Sequence, residues 1–261
     1  MKFHFYKYQA TGNDFVLIDN RSGEYSFSTE QIKKICDRKF GVGADGMMLI
    51  EKYPALDFNL VYYNSDGSQS LCGNGSRAAV NFASFLNMVN GHASFNAYDG
   101  KHEAEILSSG IVRLKMNDTH AVAQHGNDFI INTGSPHFIR FVQQVNEFPV
   151  VEEGKKIRYS EPYNEKGINV NFVELLPDNT LFVRTYERGV EDETLSCGTG
   201  VTAAALAASF KGYTSPVSIK TRGGNLFIEF KSGQSAADAA SFQDIFLVGP
   251  AKMVFEGTLE L

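Results

Sequence analysis

The sequence predicts an α/β (α+β) fold built from two similar halves, and two observations support this prediction. Strand-like apolar runs alternate with a few helical stretches along the whole chain. Two segments also share one order of features: a strand, an acidic and hydroxyl-rich loop, Cys-Gly-x-Gly, and an Ala-rich helix. Their cysteines, Cys72 and Cys197, lie 125 residues apart, about half the chain. Solenoid repeats recur every ~20–50 residues, so we expect a duplicated domain.

In chain order, the elements of the first half are predicted from periodicity and turn residues. Strands are expected at 3–8, 15–20, 47–52 and 56–64, then at 92–98, 102–107 and 111–116, with helices at 28–39 and 76–90. Ser28 and Gln31 form a capping-box pattern at the start of the first helix. The second half repeats this mixture, with strands at 128–133, 168–175 and 180–187, a helix near 200–211, and strands at 216–220, 225–230 and 251–259. The tract 232–240 is expected to be a surface loop.

Composition narrows the class of protein. The chain has 261 residues, 43% of them apolar, which is enough for a substantial core. Lys plus Arg is 24 and Asp plus Glu is 30, so the formal net charge is −6. This acidic balance argues against nucleic acid or an anionic membrane as partner. Neither a membrane-length apolar run nor a signal peptide is evident, so we expect a soluble cytoplasmic protein.

The three cysteines separate into two kinds. Cys36 lies within a predicted amphipathic helix, where a small buried apolar residue is the ordinary interpretation. Cys72 and Cys197 each precede a Gly-x-Gly and a helix. None forms a CxxC pair and the histidines show no ligand spacing, so no metal site is expected. The GxGxxG match at 41–46 follows a predicted helix and precedes a strand, the reverse of a dinucleotide-binding turn.

A Cys-Gly-x-Gly motif at a helix start suits acid–base chemistry on an anion. The first turn of a helix presents unpaired N–H groups and a partial positive charge, and glycines allow an anion to approach closely. The same setting favours the thiolate of a cysteine. Two such thiols, one from each half, could remove a proton from one face of a carbon and return one to the other face. The N–H groups would stabilise charge on an adjoining carboxylate without a cofactor.

Seven blocks of the sequence then resemble the diaminopimelate epimerase family. They are ATGNDFVLIDN, FGVGADG, YNSDGSQSLCGNGSR, TGSPH, INVNFVE, YERGVEDETLSCGTG and GGNLFIEF. The resemblance spans nearly the whole chain. It implies a pyridoxal-independent enzyme that interconverts LL- and meso-diaminopimelate in lysine and peptidoglycan precursor biosynthesis. It also implies two domains, each a mostly antiparallel sheet wrapped around a central helix, with the active site in the cleft between them. We place the domains at 1–118, joined by 250–261 returning to it, and at 119–249.

The resemblance also assigns roles to individual residues. Cys72 and Cys197 would be the catalytic acid–base pair, and His137 and Glu187 would tune the pKa of a thiol. Substrate would be bound by Asn13, Asn64, Gly73, Asn74, Asn169, Glu187, Arg188, Gly198 and Thr199. The planar fork of Arg188 suits a distal carboxylate. The family often has an asparagine where this chain has Ser135, and some members have a glutamine where it has Gly46.

Other functions remain open from the residues alone. A proline or hydroxyproline racemase on the same scaffold would also pair two cysteines, but its monocarboxylate substrate has less need of Arg188. A non-catalytic small-molecule clamp would bind ligand without proton exchange. A metal or redox sensor would join Cys72 and Cys197 in a disulfide. We expect a homodimer that acts on a small molecule, with no cofactor, metal, nucleic acid or membrane partner.

Overall fold

The computed structural model describes residues 1–108, 110–234 and 240–261. Two compact units account for these residues. The first unit comprises Met1–Leu114 and Gly249–Leu261, and the second comprises Lys115–Val248.

The first unit is a mixed sheet with two helices. Its elements are β1 (Lys2–Ala10), β2 (Asn13–Asp19), α1 (Thr29–Cys36), β3 (Gly46–Glu51), β4 (Phe58–Asn64), α2 (Gly73–Phe85), β5 (His92–Ala97), β6 (Gly100–Ser108) and β7 (Ile111–Lys115). A strand from the end of the chain, Lys252–Glu260, pairs antiparallel with β1. From that strand the sheet runs through β1 to β7 in order, and among these described strands the β2–β3 and β4–β5 pairs are parallel and the others antiparallel.

The second unit repeats this plan. Its elements are β8 (Val122–His125), β9 (Asp128–Asn132), β10 (Pro136–Phe141), a 3-10 turn (Val145–Glu147), α3 (Val150–Arg158), β11 (Asn169–Leu176), β12 (Thr180–Glu187), β13 (Asp192–Thr194), α4 (Gly198–Ser209), β14 (Val217–Thr221), β15 (Gly224–Gln234) and β16 (Ala240–Pro250). The strand Lys252–Glu260 described above is β17. Here the parallel pairs are β10–β11 and β12–β14, and the other neighbours are antiparallel.

The two sheets therefore share one sequence of pairings. The first sheet has the order β17-β1-β2-β3-β4-β5-β6-β7, and the second has the order β8-β9-β10-β11-β12-β14-β15-β16. In the described part of each sheet the third and fifth pairs of neighbours are parallel, and the other five pairs are antiparallel. A small helix, α1 or α3, connects the strands of the first parallel pair, and α2 or α4 connects those of the second. The predicted α+β fold with duplicated halves is confirmed.

Each sheet wraps around its longest helix. α2 contacts β1, β2, β3, β4, β6 and β17, and α4 contacts β9, β10, β11, β12, β14 and β15. α4 has almost no polar face. Its residues from Ala203 to Ala208, five alanines and Leu206, are all fully buried. A helix that is apolar all round must be enclosed on all sides. Small side chains let the surrounding strands approach closely.

Both central helices begin earlier than the sequence suggests. α2 starts at Gly73 instead of residue 76, and it ends at Phe85 instead of residue 90. The early end has a clear cause: Asn87 adopts φ 58°, and Met88 N–H bonds to Ala83 O. This is the left-handed helix termination in which asparagine can replace glycine. The prediction of a helix over 76–90 was therefore wrong at both ends.

Other elements were missed or misplaced. The predicted loop at 232–240 is wrong where it can be compared, because β15 extends through Gln234 and β16 begins at Ala240, while residues 235–239 lie outside the described residues. α3 was not predicted, and Gly154 lies at its centre. A Cβ there would come within 2.4 Å of the Tyr186 side chain, so glycine permits close packing of α3 against β12. Across the described residues, no helix combines the length and apolarity needed to cross a membrane.

Candidate active site

Cys72 caps the N-terminus of α2. Its backbone is extended, and its Sγ accepts a hydrogen bond from Gly75 N–H at 3.4 Å. A Cβ on Gly75 would lie 2.8 Å from Met48 Cε and 3.4 Å from Cys72 Cβ, so a larger residue there would have to displace the end of the flexible Met48 side chain. An N–H donated to sulfur stabilises the thiolate more than the thiol.

Asn13 lies at the start of β2, and its side chain favours the protonated form of the Cys72 sulfur, whereas the Gly75 N–H favours the thiolate. Its Oδ1 accepts from Cys72 Sγ at 3.6 Å and from Asn74 Nδ2 at 3.4 Å. Its Nδ2 donates to Asp45 Oδ2 at 2.5 Å, which fixes the orientation of the amide. An acceptor beside a thiol favours the protonated form. Cys72 therefore lies between groups that favour each of its two protonation states, as an acid–base group requires.

Arg77 lies one turn further along α2 and is completely buried. Its Nη2 donates to Asn74 Oδ1 at 3.0 Å and to Thr11 Oγ1 at 3.2 Å, and Nη1 reaches Gly73 O at 3.5 Å. The Arg77 guanidinium thus orients the side chain that in turn contacts Asn13. Asn64, by contrast, bonds to Ser68 Oγ at 2.9 Å and Ser70 Oγ at 3.2 Å within its own loop.

Cys197 occupies the equivalent position before α4 and is 8% exposed. Its side chain makes no capping bond to the helix, unlike Cys72, and its Sγ lies 3.5 Å from Thr199 Oγ1. Thr199 O accepts from Thr133 Oγ1 at 2.8 Å, which ties the helix start to the turn before β10. The two thiols share a fold position but differ in their hydrogen-bond partners.

His137 in β10 contacts the start of α4 through Thr199. Its Nε2 lies 2.8 Å from Thr199 Oγ1, and its Nδ1 lies 3.0 Å from Asn171 Nδ2. Burial, with a smaller contribution from the positive charge of Arg188, lowers the pKa of His137 to about 3. The ring is therefore neutral at pH 7 and carries one proton.

Asn171 determines which ring nitrogen carries that proton. Its Oδ1 accepts from Thr185 Oγ1 at 2.9 Å, and its Nδ2 donates to Phe138 O at 3.2 Å, so the amide has one orientation. Nδ2 then donates to His137 Nδ1, which places the ring proton on Nε2. Nε2–H donates to Thr199 Oγ1, and the Thr199 hydroxyl proton can point to Cys197 Sγ. A buried hydrogen-bond chain thus ends on the thiol.

Gly200 is required by this chain. A Cβ at that position would lie 2.4 Å from Asn171 Oδ1 and 3.3 Å from His137 Cε1. The second glycine of the second Cys-Gly-x-Gly motif therefore has a specific packing reason, the hydrogen-bonded Asn171–His137 pair, whereas a Cβ on Gly75 in the first motif would mainly meet the movable end of Met48.

A further group gathers around the turn after β12. Asn169 Oδ1 accepts from the Arg188 backbone N–H at 2.9 Å, and Asn169 Nδ2 donates to Ser135 Oγ at 2.7 Å. Arg188 is exposed, and its Nη1 donates to Lys166 O at 2.9 Å. Glu187 Oε2 accepts from Thr194 Oγ1 at 2.8 Å. Ser135 thus provides a hydrogen bond to the site even though it is shorter than asparagine.

The predicted site residues therefore form two local groups. In the first unit, Cys72 and Asn74 contact Asn13, Gly73 lies between those two in the sequence, and Asn64 bonds within its own loop. In the second, the start of α4 holds Cys197, Gly198 and Thr199, with His137 bonded to Thr199. Asn169 bonds to the Arg188 backbone, and Glu187 precedes Arg188 at the end of β12.

Sequence reasoning missed Asp45, Arg77, Asn171 and Thr185. A signal was present for Asn171, because it stands two residues after Asn169 in a strand and so points to the same face. A second signal, which bears on Arg77, was the repeat of Thr-Gly at 11–12 and 133–134. Each threonine precedes its hydrogen-bond partner near the central helix, Arg77 or Thr199, by 66 residues.

Comparison with known proteins identifies close relatives in sequence. The profile of the family described as "Diaminopimelate epimerase" matches residues 5–122 and 129–254. A protein named diaminopimelate epimerase from Flavobacterium psychrophilum is 48% identical over 258 residues, covering 97% of this chain and 99% of the relative. One of the same name from Aquifex aeolicus is 40% identical over 278 residues, covering 98% and 97%.

Solved structures share the fold at low sequence identity. A PhzF-family phenazine biosynthesis protein from Bacillus anthracis superposes with a TM-score of 0.73 at 11% identity, with all of both chains covered. A hydroxyproline epimerase from Agrobacterium vitis, solved with bound trans-4-hydroxy-L-proline, gives a TM-score of 0.69 at 14% identity, covering 100% of this chain and 93% of the other. These likenesses concern the architecture alone.

Proposed function

This chain belongs to the diaminopimelate epimerase family, and on that premise we propose that it interconverts LL- and meso-diaminopimelate by a two-thiol mechanism. Such an enzyme is an isomerase of lysine and peptidoglycan precursor biosynthesis. The observation that supports the mechanism most strongly is the matched placement of Cys72 and Cys197. Each precedes a buried helix that starts with Gly-x-Gly, at equivalent points of two sheets with one pairing order.

In the proposed reaction, one thiolate removes the proton from the α-carbon of the substrate. The electron pair moves into the adjoining carboxylate, which becomes enediolate-like. The opposite thiol then gives its proton to the other face of the carbon, so the stereocentre inverts and no net proton is gained or lost. In the reverse direction the two sulfurs exchange roles. The reaction requires no cofactor, provided that the developing charge is stabilised.

The helix starts would provide that stabilisation. N–H groups of Gly73 and Asn74 and of Gly198 and Thr199 belong to the first turns of α2 and α4, where helix N–H groups have no partner within the helix. We assign them to the reacting carboxylate. Because they are backbone donors on rigid elements, they need no rearrangement as charge develops.

The remaining polar residues would bind the rest of the substrate. Arg188 is exposed, and none of the ion pairs among the described residues involves it. Its guanidinium can therefore donate two parallel hydrogen bonds to a carboxylate of the substrate. Asn169 holds the backbone of Arg188 in place. We assign Asn13, Asn64 and Glu187 to the amino groups and the reacting end, with Glu187 and His137 also tuning the thiols.

The setting proposed for the enzyme follows from the same function. We propose that the enzyme acts in the cytoplasm on a small molecule, without nucleic acid, and as a homodimer. Closure around the substrate would exclude water from the reacting carbon.

A proline or hydroxyproline racemase is the main competing function, because a hydroxyproline epimerase shares the fold. The two functions differ in substrate, and solvent isotope exchange tests both. Incubated in deuterium oxide with LL-diaminopimelate, the enzyme is expected to yield meso product with one solvent deuterium at the inverted α-carbon. Proline and 4-hydroxyproline, tested in parallel, should gain none.

The same experiment separates catalysis from binding alone. A clamp that binds diaminopimelate without chemistry would shift the melting temperature with ligand but incorporate no deuterium. Deuterium in proline but not in diaminopimelate would replace the proposed function with racemisation of a monocarboxylate.

A further inference from the structure

Arg77 is a buried cation that the proposed mechanism does not use. Its side chain is fully buried, and its Nε has no hydrogen-bond partner within the described residues. Within the described part of the chain, its other nitrogens reach only neutral oxygens, those of Gly73, Asn74 and Thr11. Among the residues that the structure describes, no carboxylate pairs with it. Burying a charge without an opposite charge is costly, so the position of Arg77 needs an explanation.

Cys72 lies five residues before Arg77, at the N-cap of the same helix, and its thiolate is the counter-ion that we consider for Arg77. Burial lowers the pKa of Arg77 to about 10, and among the described ionisable groups Cys72 alone acts in the opposite direction. A pKa of that size leaves the guanidinium charged at pH 7. Coulombic coupling is reciprocal, so a cation that is stabilised by the Cys72 thiolate stabilises that thiolate equally.

The second unit shows that the fold itself does not need this charge. Five residues after Cys197, at the position that corresponds to Arg77, stands Thr202. Thr202 is also fully buried, and its Oγ1 donates to Gly198 O at 2.9 Å, just as Arg77 reaches Gly73 O. A neutral side chain therefore supports an equivalent helix start, and the cation is a feature of the Cys72 side alone.

We propose that Arg77 is a positioning residue whose buried charge stabilises the Cys72 thiolate and whose Asn74 contact sets the Asn13 amide against the sulfur. Asn13 Oδ1 favours the thiol, whereas Arg77 and the Gly75 N–H favour the thiolate. The two influences together keep both protonation states accessible. Cys197 reaches the same balance differently, through the Thr199 hydroxyl and His137. The inference rests on the proposed function only for the use made of Cys72.

The test measures alkylation of each cysteine by iodoacetamide as a function of pH, with mass spectrometry assigning the modified residue. No substrate is needed, so the outcome is independent of whether the enzyme epimerises diaminopimelate. Three variants separate charge from hydrogen bonding: Arg77→Lys keeps the charge, Arg77→Gln keeps a donor for Asn74 without charge, and Arg77→Met keeps volume alone. Cys197 in each variant serves as the internal control.

We expect the midpoint for Cys72 to rise by about 1 pH unit or more in Arg77→Gln and Arg77→Met, and to move by less in Arg77→Lys. The midpoint for Cys197 should stay in place. A folded Arg77→Gln protein with an unchanged Cys72 midpoint would overturn the proposal, as would equal shifts of both thiols. Should the neutral variants not fold, the wild type decides: its Cys72 midpoint is expected below about 8.5, the ordinary value for a thiol, and a higher one would contradict the proposal.

Discussion

Replacing either Cys72 or Cys197 with alanine will slow epimerisation of diaminopimelate by roughly a thousandfold or more. Each thiol is expected to supply a proton transfer that no neighbouring group can take over, and one general acid–base group contributes about 10²–10⁴-fold. Because inversion needs a base on one face and an acid on the other, both single variants should fail to a similar extent. Turnover is measured in each direction from purified LL and meso isomers.

Cys36→Ala is the matched control for this experiment. Cys36 is also buried at a helix end, but burial raises the pKa of its thiol to about 12, and the residue packs in the core beside Ile32 and Ile35. Its replacement should leave kcat and KM near the wild-type values. Efficient epimerisation by either the Cys72→Ala or the Cys197→Ala enzyme would refute the two-thiol mechanism.

Replacing Arg188 with methionine will lower kcat/KM for diaminopimelate by roughly 10- to 100-fold. The reason is the loss of a charge-assisted hydrogen-bond pair with the distal carboxylate, worth about 1.5–3 kcal/mol, where about 1.4 kcal/mol corresponds to a factor of ten. Steady-state kinetics measure the effect. Arg222→Met is the control, since Arg222 is an exposed arginine of the same unit that pairs with Glu193.

A second substrate sharpens the Arg188 experiment. Lysine lacks the distal carboxylate of diaminopimelate, so any exchange of its α-proton should be equally slow in wild type and in Arg188→Met. The preference of the wild type for diaminopimelate over lysine should therefore collapse in the variant. An undiminished preference, or an equal loss in Arg222→Met, would show that Arg188 does not bind that carboxylate.

Local patterns were enough to predict the fold class and the family. The paired Cys-Gly-x-Gly blocks indicated a duplication, and the shared pairing order of the two sheets confirms it. The helix starts were misjudged because glycine is a poor helix residue. At Gly200 glycine is nevertheless favoured, since a Cβ would collide with the hydrogen-bonded Asn171 side chain. β10 was missed because it opens with Pro136, which strands tolerate at their first position.

The supporting residues of the site were harder to predict for a different reason. Arg77 and Asn171 act through contacts with residues far away in sequence, Thr11 and His137, and neither has a motif of its own. A buried arginine cannot be distinguished from a surface arginine on a helix until the surrounding sheet is known. The sequence could place the thiols and their glycines, whereas the groups that set their protonation required the packed structure.

The central claim is that two sulfurs flank one substrate carbon, and a crystal structure with diaminopimelate bound tests it most directly. We predict Cys72 Sγ and Cys197 Sγ on opposite faces of the same α-carbon, with its carboxylate on the first N–H groups of α2 and α4. Sulfurs found in separate pockets, with only one of them near the bound α-carbon, would contradict it.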